Sequence, residues 1–272
     1  MTTIPLMGAH VDAADPISVA QAHGFDIVQI SLGDPRSWKG PRVDYPGGAN
    51  ALRAAAEAAG VEIVVHAPFV INVASTNNRV RIPSRKALQQ HVTAAAEIGA
   101  IGVVVHGGHV SNGDDPEVGY DNWRKALEGL EFAVPVFIEN TAGGANAMAR
   151  TLEQLTQLFA TVRATGLEDV GFCLDTCHAH AAGLELAGLT ETMLDVVGRI
   201  DLVHLNDSQG DFDSGIDRHA SLGQGTCDPE GLVEVAVTAG APIVLETPGD
   251  SIAHSQDLKW LRERAEWPNL AL

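Results

Sequence analysis

The chain is poor in cysteine, poor in cations and free of long apolar runs, and each shortage removes a class of protein. Three cysteines among 272 residues cannot pair off completely and follow no framework spacing, which excludes a disulfide scaffold. No run approaches the roughly 18 apolar residues needed to span a bilayer, so no membrane association is expected. No charged-then-apolar leader opens the chain at MTTIPLMGAH, and with the unpaired cysteines this predicts a cytoplasmic protein. Lysine and arginine number 17 against 35 aspartates and glutamates, a formal net charge of −18. At face value that balance counts against a polyanionic partner, because nucleic-acid binders usually carry a basic face.

What the chain does have is repetition. A short β-branched run ending in a polar residue recurs eight times, as LMGAHV, DIVQISLG, VEIVVHAPF, IGVVVHGG, VPVFIENT, VGFCLDTCH, IDLVHLND and PIVLETPG. Between the runs lie NALRAAAEAAG, RKALQQHVTAAAEIGA, NWRKALEGLEF, TLEQLTQLFATVRATG and EGLVEVAVTAG, each with helical spacing and an end near glycine or proline. Near-continuous apolar strands alternating with helices predict a parallel sheet covered on both faces. Eight such units predict an α/β fold, a closed (β/α)8 TIM barrel. No linker or composition break divides it, so residues 1–272 read as one domain.

In that fold the chemistry gathers at the C-terminal ends of the strands. Those ends carry His10, His66, His106, Glu139, Asp175 with His178, His204 and Glu246. In DSGIDRHASLGQG, after the seventh strand, Asp217 and His219 stand two apart, where an extended backbone puts both on one side. His10 reads as a residue that orients a ligand or a phosphate. The others make five histidines and four carboxylates. Nine ligands exceed the four that one zinc takes, so two or three ions sharing a bridging carboxylate fit the count. Such a cluster suits phosphodiester hydrolysis, where water must be activated, a phosphoryl oxygen polarised and a leaving alkoxide stabilised.

The motifs GAHV from Gly8, QISLGDPRSWK, VHAPFVINVAS, NNRVRIPSRK, VVHGGHV, IENTAGG, CLDTCHAHAAG, VHLNDS, DRHASLGQG and LETP occur in order over nearly the whole chain. In them the sequence resembles endonuclease IV, the zinc-dependent apurinic/apyrimidinic (AP) endonuclease of base excision repair, and particularly its actinobacterial members. The resemblance implies three Zn2+ per chain. His66 and His106 would bind one with Glu139, which bridges to a second held by Asp175, His204 and Glu246. His178, Asp217 and His219 would hold the third. It also implies attack of a metal-bridging hydroxide on the phosphorus 5′ to an abasic site, leaving a 3′-hydroxyl and a 5′-deoxyribose phosphate, together with trimming of blocked 3′ ends. The implied partner is double-stranded DNA with abasic sites or blocked 3′ ends, met in the cytoplasm at the nucleoid by a monomer.

For DNA handling, the resemblance points to Arg36 and Trp38 in DPRSW as the pair filling the gap left by an extruded nucleotide. Phe69 stands where the family often has tyrosine, and Val70 is smaller than the leucine commonly beside it. A phenyl ring still wedges into a base stack, while a hydroxyl contact to phosphate is lost. Arg79, Arg81, Arg85 and Lys86 in RVRIPSRK are expected to meet phosphates. Three zinc ions would move the formal balance from −18 to about −12 and place positive charge where a phosphate sits. A focused field of that kind, not net charge, governs approach to a cleft.

CLDTCHAHAAG, from Cys173 to Gly183, looks at first like a thiolate zinc site or a redox pair. Oxygen and imidazole ligands already fill the implied site, so Cys173 reads as a small inward residue and Cys177 as a neighbour of the ligands. His180 takes a place where the family usually has an aromatic ring. His109 and His254 are not expected to be ligands, and ENTAGGANAM lacks the glycine order of a dinucleotide site. The rival reading is a divalent-metal sugar isomerase or epimerase of the same barrel superfamily, which needs only Glu139, Asp175, His204 and Glu246. A non-enzymatic DNA-binding or metal-storage module ranks third, because it does not explain ligands converging on a barrel mouth.

Overall fold

The computed structural model describes residues 4–267; the ends of the single domain expected over 1–272 lie outside the described residues. Eight parallel strands close into a barrel. They are β1 (Met7–His10), β2 (Ile27–Ser31), β3 (Glu62–His66), β4 (Val103–His106), β5 (Val136–Glu139), β6 (Val170–Asp175), β7 (Leu202–His204) and β10 (Ile243–Leu245). The order around the barrel follows the chain, with β1 closing on β10 and β2. Two short antiparallel strands, β8 (Asp207–Ser208) and β9 (His219–Ala220), make a separate ribbon between β7 and β10. The predicted TIM barrel and its eight runs are therefore the observed ones.

Nine helices are found among the described residues: α1 (Pro16–His23), α2 (Gly48–Ala59), α3 (Asn78–Glu97), α4 (Pro116–Glu128), α5 (Leu152–Ala164), α6 (Thr176–Ala181), α7 (Leu189–Val197), α8 (Pro229–Thr238) and α9 (Ser251–Arg264). Their starts are written in the sequence. Asp115 and Asp228 cap helices whose first residue is proline, and Thr151 and Gln154 form a reciprocal capping box, arrangements that satisfy otherwise orphaned backbone N–H groups. Between helices and barrel lies the main core. Trp123 is fully buried there and donates from Nε1 to the carbonyl of Gly107 at 2.8 Å, tying α4 to the loop after β4. Each large side chain so buried contributes about 1.5–3 kcal/mol.

Inside the barrel a second, smaller core decides where the chemistry goes. Ile27, Val64, Val104, Phe137, Cys173, Leu202 and Val244 form one apolar layer, a residue from each of seven strands. Side chains alternate across a strand, so the residue two places on points the same way, one layer higher. Those residues are Gln29, His66, His106, Glu139, Asp175, His204 and Glu246. The parallel register sets His106 beside Glu139 and Asp175 beside His204. The apolar layer closes the barrel floor, and the polar layer above it faces the mouth.

Candidate metal centre

Glu139 occupies the middle of this polar layer, with no exposure to solvent. Its Oε2 lies 3.4 Å from Nε2 of His66 and 3.2 Å from Nε2 of His106. Its Oε1 lies 3.0 Å from Nδ1 of His204 and 3.3 Å from Nδ1 of His178. Glu246 Oε2 approaches the same His204 nitrogen at 3.2 Å. From the β7–α8 connection, Asp217 Oδ1 reaches Nε2 of His178 at 3.1 Å and Nε2 of His219 at 3.5 Å.

Three groups of donor atoms, each within 4.8 Å of one another, result: His66, His106 and Glu139; Glu139, Asp175, His204 and Glu246; and His178, Asp217 and His219. Glu139 belongs to two of them. All nine candidate ligands thus converge at one mouth; six of them line its cavity of about 390 Å³ with His10 and Phe69, and Glu139, Asp175 and His204 lie buried beneath it. His109 and His254 fall in none of the groups. Asp175, Cys177 and His219 form a fourth cluster, but burial pushes the Cys177 thiol up to about 12, and a protonated thiol is a poor ligand.

The far nitrogen of several rings is already committed. His66 donates from Nδ1 to the carbonyl of Ala67 at 2.7 Å, His178 from Nδ1 to that of Asn140 at 2.9 Å, and His219 from Nδ1 to that of Glu246 at 3.0 Å. A ring whose N–H is spent on a carbonyl presents a lone pair at its other nitrogen, as metal-bound histidines do. In His219 that nitrogen, Nε2, is buried without a hydrogen-bond partner among the described residues and faces Asp175 at 3.7 Å. Lone pairs aimed at carboxylate oxygens repel unless a cation lies between them, so the donor set fits metal ions.

Electrostatics point the same way. Burial raises the Glu139 carboxyl, but the imidazoles, His106 and His204 foremost, overcome it and hold it well below the usual carboxylate range. Burial lowers His178, yet Asp175, Asp217 and Glu139 hold it well above an ordinary imidazole. Concentrated negative charge in a dry site demands positive charge, as protons or as metal.

The DNA-handling candidates ring the mouth unevenly. Phe69 is 57% exposed, with its ring 5.5 Å from that of His66 and 5.6 Å from that of His106. Its backbone N–H donates to the carbonyl of Pro35 at 2.9 Å, joining its loop to the one that carries Arg36 and Trp38. Val70 follows, half-buried. Among the described residues Arg36 is paired only with neighbouring Asp34, at 3.6 Å, and Trp38 is 47% exposed over a groove shared with Ile82 and Lys86. Arg79 is exposed and Lys86 lines that groove. Arg81 instead donates inward to the carbonyl of Ser75 at 2.9 Å, and Arg85 to that of Asn122 at 2.9 Å, so the basic run is split between surface and scaffold.

Sequence reasoning passed over three buried amides in the site. Asn140 and Asn206 brace Asp175, the former through backbone bonds in both directions and the latter from Nδ2 to Oδ2 at 2.7 Å. Gln29 lies fully buried beside His204 and Glu246. Amides carry no charge to flag them; strand parity could have found Gln29, two places after Ile27, and Asn206, two places after His204, but not Asn140, which directly follows Glu139.

A barrel with acidic and imidazole donors at its mouth defines a class of metal-site enzyme, and comparison with known proteins narrows it. Residues 17–267 match the family described as xylose isomerase-like TIM barrel. A Mycobacterium tuberculosis protein named "Probable endonuclease 4" is 50% identical over 259 residues, covering 95% of this chain and 98% of its own; the Mycobacterium leprae protein of that name is 49% identical with the same coverage. The crystal structure of endonuclease IV from Thermus thermophilus superposes with a TM-score of 0.82 at 32% identity, over 95% of this chain and 98% of that one. A D-tagatose 3-epimerase-like protein at 22% identity and a TM-score of 0.77, over 95% of this chain and 96% of that one, shares the fold. The chain belongs to the endonuclease IV family and is a nuclease.

Proposed function

We propose that the protein hydrolyses the phosphodiester 5′ to abasic sites in double-stranded DNA, leaving a 3′-hydroxyl and a 5′-deoxyribose phosphate, and trims blocked 3′ ends. The observation that carries this reading is the sharing of Glu139 between two donor groups, with a third beside them at one open mouth. His66, His106 and Glu139 hold one zinc, Glu139, Asp175, His204 and Glu246 a second, and His178, Asp217 and His219 a third. Zinc in this arrangement supplies Lewis acidity toward the phosphate oxygens and the attacking water.

The chain's own residues do the rest. Glu139 divides its two oxygens between the groups and so sets their spacing. Asn140 and Asn206 keep Asp175 from swinging away. Phe69, exposed above His66 and His106, wedges against the stack beside the lesion, and Arg36 and Trp38 fill the duplex from the adjoining loop. Arg79 and Lys86 contact flanking phosphates, while Arg81 holds the loop that begins α3. His10 orients the group around Glu246, which lies 3.5 Å from it. The enzyme acts as a monomer in the cytoplasm, on the nucleoid; no helix among the described residues is long and apolar enough to cross a membrane.

A sugar isomerase or epimerase would use the four-donor group alone. The group of His178, Asp217 and His219 has no task in such an enzyme and weighs for the nuclease. Metal analysis of protein purified without chelators, with incubation on a duplex bearing one abasic-site analogue, tests the proposal. About three zinc ions per chain and a cut on the 5′ side are expected. One metal, no cut and ketose turnover would replace this reading with the isomerase.

A further inference from the structure

Gln29 is an amide with no exposure to solvent, at the inward parity of β2 one layer above Ile27. Its Nε2 lies 2.6 Å from Glu246 Oε1 and 3.1 Å from Nδ1 of His10, and its Oε1 lies 2.8 Å from Nε2 of His204. The chemistry of these partners leaves one arrangement. An ionised carboxylate only accepts, so the NH2 end of the amide must face Glu246. The carbonyl end is then turned to His204, and since it too only accepts, Nε2 of that ring must carry the hydrogen.

The consequence falls on the other side of the imidazole. With the proton on Nε2, a neutral His204 has its lone pair at Nδ1, which stands 3.0 Å from Glu139 Oε1 and 3.2 Å from Glu246 Oε2. In His66, His178 and His219 backbone carbonyls fix the opposite tautomer, with the hydrogen on Nδ1 and the lone pair on Nε2. Among the described residues no backbone carbonyl meets the ring of His204, and a side chain from across the barrel does the task instead. We infer that Gln29 is a positioning residue that fixes the tautomer of His204 and clamps one oxygen of Glu246, so that the four-donor group of Glu139, Asp175, His204 and Glu246 is aimed at its cation before the cation arrives. The inference rests on the metal reading given above.

A buried amide that merely filled space would affect all parts of the site alike. The test therefore measures each binding step in the full-length protein, stripped of metal and titrated with zinc against a chromophoric chelator. Gln29→Met keeps the length and volume but removes both polar ends. It is expected to weaken one zinc step by about 10–100-fold and leave the other two within about twofold. Gln29→Glu, which sets a second carboxylate against Glu246, is expected to shift that same step.

Three unchanged steps in a folded Gln29→Met would overturn the inference, and so would equal weakening of all three. Should the variants not fold, imidazole nitrogen NMR of the zinc-loaded wild type decides: protonated Nε2 and coordinated Nδ1 are expected for His204, and the reverse would overturn it. A wild type that takes up no zinc would remove the metal reading and this inference together. That result is distinct from a zinc-binding wild type with an unaffected variant.

Discussion

Arg150 donates from Nη2 to Asp213 Oδ1 at 3.0 Å, joining the segment before α5 to the loop that carries Asp217 and His219. Asp213 is the one non-glycine residue at positive φ, 56°, among the described residues, a conformation aspartate tolerates better than most. Two residues on, Gly215 donates to the carbonyl of Ala181 at 2.8 Å. Arg150→Ala is expected to loosen the group of His178, Asp217 and His219, lowering zinc affinity there several-fold. The fold should lose less than about 1 kcal/mol, because the pair is partly exposed. Zinc titration beside a thermal melt separates the two effects.

A stronger effect should come from the backbone contact under that loop. A Cβ on Gly143 would come within 2.4 Å of the carbonyl oxygen of Gly215, and a backbone atom cannot swing aside. Gly143→Ala is expected to destabilise by about 1–3 kcal/mol and to impair the same donor group. An unchanged denaturation midpoint would show that the two loops are not held in contact.

Glu139→Gln keeps the shape of the bridging residue and removes its charge. With one anionic oxygen lost from two donor groups, single-turnover cleavage of an abasic-analogue duplex is expected to fall by at least about 10³-fold, some 4 kcal/mol. A rate near wild type would end the bridging role assigned to this carboxylate.

Phe69→Ala removes an exposed ring and should leave folding within about 0.5 kcal/mol of the wild type. The loss is expected in substrate handling, with KM for a duplex abasic site raised about tenfold if one base–ring contact is removed. Steady-state kinetics on duplex and single-stranded substrates would show whether the duplex suffers more, as a wedge requires.

His91 supplies a pH dependence away from the site. Its Nδ1 donates to the carbonyl of Ala87 at 2.8 Å, while Nε2 is buried without a partner among the described residues. Burial lowers its pKa below the ordinary 6.5, so the unfolded chain binds this proton more readily than the folded one. Stability from this residue is therefore complete above about pH 6.5 and falls as pH drops through the lowered folded value. In His91→Met that part of the acid-side decline should vanish; denaturant unfolding at about pH 7 and about pH 5, on either side of the ordinary imidazole pKa, would show a smaller difference than in the wild type.

Six of the nine candidate ligands, His66, His106, Glu139, Asp175, His204 and Glu246, were legible because most barrel strands end on a polar residue two places beyond an apolar one, and period-two parity survives in any parallel barrel; His178 stood out by following Asp175 in one motif, and Asp217 and His219 by their spacing of two. Gln29 escaped notice for a related reason. In DIVQISLG it is followed by Ile30, Ser31 and Leu32, so the run reads as ending at Ser31 and its inward amide as an interruption. Four helices were missed, α1, α6, α7 and α9: α9, SIAHSQDLKWLRER, is mostly polar, α1 and α7 are short at eight and nine residues, and α6 begins directly at the end of β6, with Asp175 accepting from the backbone of His178 at 2.6 Å. That bond makes one aspartate both a helix cap and a candidate ligand. The basic run RVRIPSRK reads as one patch, and only tertiary contacts reveal that Arg81 and Arg85 face inward.

The three cysteines bear on how the protein withstands its surroundings. All are buried, and burial pushes Cys173 and Cys177 up to about 12 and raises Cys227 as well. Peroxides and alkylating agents attack the thiolate, a form these residues scarcely populate at neutral pH. The folded chain is therefore expected to keep its thiols through exposure to oxidants, and preparation without dithiols, which strip zinc from proteins, should leave all three cysteines reduced.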